Sequence, residues 1–225
     1  MKIYKDMNWS AVQKTLIEIS EHLSHSKTLC LKDLPVDRTA LFIVDMVNGF
    51  VKNGPMSSNR IYEINQGIAN LVKSCNLYGI SCIAFRDCHT AESLEFLSYP
   101  PHCLINSEES EITEEIQNAG SLSSIPKNST NGFLELDFQK WMDSHPKIDH
   151  FIIVGDCTDL CISQFSITLK ADFNRKNQFS RILVPIDLVE TYDLGLHNGD
   201  LMNLIALYDM ELNGIELISN FTEIE

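Results

Sequence analysis

Apolar runs of strand length alternate with helix-period segments along almost the whole chain, and three of those runs that end in an aspartate matter most here. They are "TALFIVD" (39–45), "ISCIAFRD" (80–87) and "HFIIVGD" (150–156). Between the first two, residues 60–79 place Ile61, Ile64, Ile68, Leu71, Val72 and Cys75 at helical spacing, with Gly79 as a stop. A weaker third strand is expected over 121–127, helices over 132–145, 159–175 and 197–212, and further strands over 181–187 and 214–219. Strands separated by helices in this way build a parallel sheet through right-handed crossovers, with both faces covered. The expected fold is α/β: three-layer, doubly wound and Rossmann-like, with a mostly parallel six-stranded sheet. Ligands in such folds bind beyond the carboxyl ends of the strands. Asp45, Asp87 and Asp156 therefore mark the rim where a site belongs.

A chain of 225 residues that is 44% hydrophobic is long enough for one domain with a substantial core. We expect a single domain over 1–225, with residues 1–35 as a packed helical extension carrying one amphipathic helix at about 8–24. A formal net charge of -14 opposes nucleic acid and anionic membrane as partners. Part of that acidity sits in "NSEESEITEE" (106–115), which reads as a solvated helix or loop face. No apolar run reaches the roughly 18 residues of a membrane span, and the start has no apolar core of signal-peptide type. A cytoplasmic location is expected. The seven cysteines (Cys30, Cys75, Cys82, Cys88, Cys103, Cys157 and Cys161) are odd in number and follow no regular framework. Several lie in apolar runs as small hydrophobes, so a disulfide scaffold is not expected.

The stretch "AFRDCHTAESLEFLSYPPHC" (84–103) gathers Asp87, His89, Glu95 and His102 just past the end of a strand. Asp87 and His89 are two apart, so in extended chain their side chains point the same way. Pro100 and Pro101 stiffen the approach to His102. An Asp/His/His set with Glu95 as an optional fourth suits Zn²⁺, and its mixed oxygen and nitrogen ligation also admits Mn²⁺ or Fe²⁺. The plain alternative is an aspartate that caps a turn beside two loop histidines.

In "VGDCTDLCIS" (154–163) a strand turns into a helix beginning near Thr158 or Asp159, which puts Cys161 in its first turn. Helix-terminal N–H groups favour a thiolate there and can receive an oxyanion. The alternatives are a redox pair formed with Cys157 or two buried thiols. A nucleophilic cysteine needs a partner to move its proton. Asp45 ends the first strand and Lys127 the weak third, so both can reach the same rim, although each also has an ordinary structural explanation.

Four segments, in order, give the chain a resemblance to the isochorismatase-like cysteine hydrolase superfamily, and within it to the metal-containing nicotinamidases. "LFIVDMVNGFV" resembles the family's first strand, with its catalytic aspartate at Asp45 followed by Asn48 and Phe50. "RDCHTAESLEFLSYPPHC" resembles the metal segment, which implies Asp87, His89 and His102 as ligands with Glu95 as a possible fourth. "IPKNSTNGFLELDF" resembles the segment of the catalytic lysine, here Lys127. "VGDCTDLCISQFSITLKA" resembles the nucleophile segment, here Cys161. The family's cis peptide would fall at Asp156–Cys157, and its oxyanion hole would use the backbone N–H groups of Cys157 and Cys161. "VPIDLVETYDLGLHNGDLMNLI" resembles the last strand–helix unit, with His197 as a structural residue. The chain departs from the pattern in three places: Cys88 stands where nicotinamidases often have Trp, "NSTNGF" follows the lysine, and the N-terminal extension is longer than in compact members.

The resemblance implies a metal-dependent amidohydrolase that converts nicotinamide to nicotinate and ammonia through a Cys161 thioester. It further implies a small amide as substrate, a role in NAD metabolism and a homo-oligomer; Phe50 and Tyr99 are candidates for stacking against the ring, with plain core packing as the alternative. A related amidase acting on another small amide is the alternative. An isochorismatase is disfavoured because that branch lacks the D-x-H…H-C metal set.

Overall fold

The computed structural model describes residues 6–222. In chain order the elements are α1 (Trp9–Ser24), β1 (Leu29–Cys30), β2 (Thr39–Val44), α2 (Asn48–Val51), α3 (Asn59–Tyr78), β3 (Ser81–Asp87), α4 (Glu114–Gln117), β4 (Ser123–Lys127), α5 (Leu136–Ser144), β5 (His150–Asp156), α6 (Ser163–Arg175), β6 (Arg181–Pro185), β7 (Val189–Glu190), α7 (Gly199–Leu212), β8 (Glu216–Ile218) and β9 (Phe221–Thr222). The main sheet runs β4-β3-β2-β5-β6-β8, with β7 beside the end of β5, and its pairings are parallel. It therefore has seven strands where the sequence led us to expect six. The extra one is a two-residue strand after a 3₁₀ turn, too short to show an apolar run. A separate parallel pair joins β1 to β9.

Strand β2 shows why three layers form. All six of its residues are buried, and alternate side chains enter opposite cores. Leu41 and Ile43 join the core under α3, with Ile61, Ile64, Ile68, Leu71, Val72 and Cys75. Ala40, Phe42 and Val44 join the core under α5, α6 and α7. Phe42 centres an aromatic cluster there, with Phe85, Phe138, Trp141, Phe151 and Phe165 packed 5.2–6.1 Å from its ring. Helix α3 ends at Gly79, whose φ of 81° is the left-handed cap anticipated from the sequence.

Helix α1 is capped by Asn8, which accepts the Ala11 N–H, and it buries Ile19 and Leu23 near α7. The acidic stretch is less solvated than expected, because Ser110, Ile112 and Thr113 within it are buried. Among the described residues no helix is long and apolar enough to cross a membrane.

The chain leaves β2 towards β3 and β4, then returns to β5 on the other side of β2. The strand order thus reverses between β2 and β5, which is where a crevice forms at the carboxyl ends. The backbones of β2 and β5 are tightly apposed at that point. A Cβ on Gly155 (φ 116°) would lie 2.0 Å from the Val44 carbonyl oxygen, so only glycine fits.

Candidate active site

Four strand ends deliver the acids and the lysine. Asp45 follows β2 with φ 55°, in the left-handed region, and is fully buried. Asp87 closes β3 and Lys127 closes β4, and the two are register partners. Asp156 closes β5, and the next peptide bond, Asp156–Cys157, is cis. The chain then makes a π-helical turn, Thr158–Ile162, before α6 begins. Cys161 therefore lies in a π turn ahead of the α-helix rather than in an α-helical first turn.

Lys127 is the hub. Its Nζ donates to Asp87 Oδ1 at 2.8 Å and to the Ser129 carbonyl at 3.0 Å. It lies 2.9 Å from Asp45 Oδ2 and 3.8 Å from Cys161 Sγ. Burial alone would drive the proton off this amine, but Asp45 and Asp87 hold its pKa well above the ordinary lysine value. Burial pushes the Asp45 carboxyl up to about 6, against the pull of Lys127 and of the Cys161 thiol. Cys161 differs from expectation. Burial raises its thiol well above the ordinary value, with Lys127 opposing and Asp45, Asp87 and Asp156 adding to the rise. The resting group is a thiol that requires a base, not a thiolate stabilised by a helix end.

The second oxygen of Asp87 faces two histidines. Oδ2 lies 2.9 Å from His89 Nε2 and 3.1 Å from His102 Nε2. All three side chains are buried, and their ligand atoms lie within 4.8 Å of one another. Each imidazole is oriented through its other nitrogen. His102 Nδ1 contacts the Pro100 carbonyl at 2.8 Å and His89 Nδ1 contacts Asn128 Oδ1 at 3.1 Å. Those oxygens accept, so Nδ1 carries the proton and the Nε2 lone pairs converge on Asp87, as in metal centres with ordered outer partners. His89 Nε2 is buried and makes no hydrogen bond. This donor set fits a divalent ion. Glu95 stands beside it: Oε2 is 3.7 Å from His89 Nε2, while Oε1 accepts the Thr130 N–H at 2.8 Å.

These groups share a pocket of ≈ 370 Å³ lined by Phe50, Asp87, Glu95, Tyr99, His102, Lys127, Asp156, Cys157 and Cys161, together with Met56, Thr130, Leu160 and Tyr192. Every residue anticipated for the site except Asp45 and His89 lines it, and those two lie behind the wall in contact with Lys127 and Asp87. Phe50 and Tyr99 place their rings 5.5 and 6.3 Å from that of His102. Tyr192 and Met56 went unnoticed in the sequence, because nothing local marks a residue that a distant loop brings to a pocket, and Leu160 because it reads only as an apolar neighbour of Cys161. His197 lies outside the lining. It stacks on Tyr192 at 3.9 Å and contacts Asp159 Oδ2 at 2.8 Å, an orienting role consistent with a structural residue. A larger open cleft of ≈ 1160 Å³ lies among Met142, Pro146, Ile148, Phe173 and Phe179, away from the strand-end acids that face Lys127.

Comparison with known proteins places this geometry. A family model described as Isochorismatase domain matches residues 39–201. Nicotinamidase 1 of Arabidopsis thaliana is 29% identical over 239 aligned residues, covering 85% of this chain and 94% of that protein. N-carbamoylsarcosine amidase from Thermoplasma acidophilum shares the fold at a TM-score of 0.65 and 20% identity, over 80% of this chain and 95% of its own. The pyrazinamidase of Pyrococcus horikoshii, solved in complex with zinc, aligns at a TM-score of 0.65 and 20% identity over 80% of this chain and 98% of that one.

Proposed function

The chain belongs to the isochorismatase domain family, and from that premise we propose that it is a metal-dependent cysteine amidohydrolase that converts nicotinamide to nicotinate and ammonia. One observation carries the reading. Lys127 joins the Cys161 thiol and Asp45 on one side to the Asp87–His89–His102 set on the other, within a single pocket. The likeness to the Arabidopsis thaliana nicotinamidase supports the choice of amide.

Asp45 takes the proton of the Cys161 thiol, and the thiolate attacks the carboxamide carbon. The backbone N–H groups of Cys157 and Cys161 hold the oxyanion that forms. Asp45 then passes its proton to the amide nitrogen, the C–N bond breaks, and ammonia leaves behind a thioester on Cys161. Water attacks the thioester, Asp45 takes its proton, and nicotinate departs as the thiol is restored. Lys127 keeps Asp45 ionised in a setting that would otherwise neutralise it. Asp87, His89 and His102 would hold the divalent ion, with Glu95 at hand, and that ion supplies a Lewis-acid centre for the ring nitrogen. Phe50 and Tyr99 flank the ring. Zinc is the ion favoured by this donor set and by the zinc complex of the Pyrococcus horikoshii protein; manganese and iron fit the same ligand types. We further read residues 1–225 as one hydrolase domain, because α1 buries Ile19 and Leu23 in the shared core. The buried thiols of Cys75, Cys82, Cys88, Cys103, Cys157 and Cys161 fit a cytoplasmic setting.

The test is ammonia release from nicotinamide by purified protein, with metal content measured on the same sample. Turnover of another small amide but not nicotinamide would favour the alternative, which Cys88 and the "NSTNGF" stretch keep in play because both border the metal and lysine segments. The pH profile is a further check. Asp45 must be ionised to act, and its carboxyl is raised to about 6. We expect kcat/KM to fall about tenfold per unit as pH drops below about 6 and to level off above it. Metal content measured at each pH separates this loss from ligand protonation. A profile flat from pH 5 to 8 with metal retained would remove Asp45 from the base role.

Asn128 supplies a milder test of the metal set. Its Oδ1 fixes His89 through Nδ1, and Asn128→Ala is expected to weaken zinc affinity by about 10- to 100-fold in a chelator competition titration. Unchanged affinity would mean that His89 is not a ligand.

A further inference from the structure

Asp156 is the strand-end acid that the mechanism above leaves unused. It is 1% exposed and lines the pocket beside Cys157, Cys161 and Tyr192. Its Oδ1 accepts a hydrogen bond from the Cys157 thiol at 3.6 Å. Its Oδ2 is buried and has no hydrogen-bond partner among the described residues. The only ammonium in this pocket wall is committed elsewhere, since Lys127 is held by Asp45, Asp87 and Ser129. Buried polar oxygens are almost always paired, and one left open in a pocket wall is where a ligand group belongs.

The proposed reaction narrows what that group can be. The substrate's carbonyl oxygen goes to the N–H groups of Cys157 and Cys161, and its carbon goes to the Cys161 sulfur. What remains of a carboxamide is the NH₂: Asp45 meets its nitrogen to deliver a proton, and the mechanism names no acceptor for its two N–H groups. Asp156 directly precedes Cys157 in the chain and so stands next to the oxyanion donors. The geometry points to Asp156 as a substrate-binding residue that accepts an N–H of the carboxamide NH₂ through Oδ2 and makes the site selective for primary amides over esters of the same acid. This inference rests on the amidase reading.

The experiment compares kcat/KM for nicotinamide and methyl nicotinate on the metal-loaded full chain, in the parent, Asp156→Asn and Asp156→Leu. Asparagine keeps an acceptor oxygen of the same reach, whereas leucine fills the space with none. The amide-to-ester ratio is expected to fall about 10- to 100-fold in Asp156→Leu and to recover most of that loss in Asp156→Asn. Asp156→Ala replaces the leucine variant if that does not fold. A leucine or alanine ratio within threefold of the parent's overturns the inference, as does an asparagine ratio no better than leucine's. If the parent turns over pyrazinamide or benzamide but not nicotinamide, the ratio is read on that amide and its methyl ester, and only the nicotinamide assignment falls. A parent that cleaves no primary amide overturns both.

Discussion

Replacing Cys161 with alanine is expected to cut amide turnover by about 10⁴-fold or more, with the fold and the metal content intact. The side chain is small and sits at the pocket wall, so its loss leaves the cores on both faces of the sheet packed as before. What disappears is the atom that forms the thioester in the proposed reaction. Removing a nucleophile typically leaves only the residual catalysis of the binding groups. Cys157→Ala provides the contrast. The backbone N–H of residue 157 survives that substitution, and what is lost is the thiol's hydrogen bond to Asp156 and its contact with Thr191. Its effect should be smaller by orders of magnitude. Equal losses in the two variants would instead indicate a pair that works as a disulfide. Single-turnover ammonia release measures both, and an alanine variant at position 161 that kept a tenth of parental activity would end the nucleophile assignment.

Much of this site was visible in the sequence because strand periodicity and strand termination are local. Residues 39–45, 80–87 and 150–156 are apolar runs that stop at an acid, and the structure places those stops on one rim. The spacing within residues 84–103 likewise pointed to Asp87, His89 and His102, which converge as a group able to hold a metal ion. What stayed hidden depends on pairing between segments far apart in the chain. Asp87 serves two masters, Lys127 through one oxygen and the histidines through the other, because β3 and β4 bring residues 87 and 127 into register. No pattern within either strand states that register. Asn128 orients His89 from a stretch that the sequence marked only as a departure from a familiar pattern. The Cys161 thiol failed expectation for a physical reason. A helix-end dipole is a modest stabiliser of charge, and full burial among three carboxylates outweighs it. The turn that carries Cys161 is π-helical, which residue preferences do not separate from the start of an α-helix.

Lys127→Met should be the most damaging substitution for stability as well as activity. Lys127 is 2% exposed, and its ammonium is the buried cation that faces both Asp45 and Asp87. Methionine has nearly the same length but leaves two buried carboxylates without their counter-charge. Breaking a buried pair from one side costs about 3–5 kcal/mol, because the stranded charge has neither solvent nor partner. Asp45 would escape that cost by holding a proton, and a protonated Asp45 cannot accept one from Cys161. Activity should therefore vanish even in protein that remains folded. The double variant Asp45→Asn/Lys127→Met separates the two effects. With residue 127 and Asp45 both neutral and only Asp87 still charged, part of the lost stability should return while turnover stays absent, a non-additivity that urea unfolding can measure at fixed metal concentration. If the single variant unfolds within about 1 kcal/mol of the parent, the ammonium is not what holds the two carboxylates together. The link between the thiol and the metal ligands would then need another carrier.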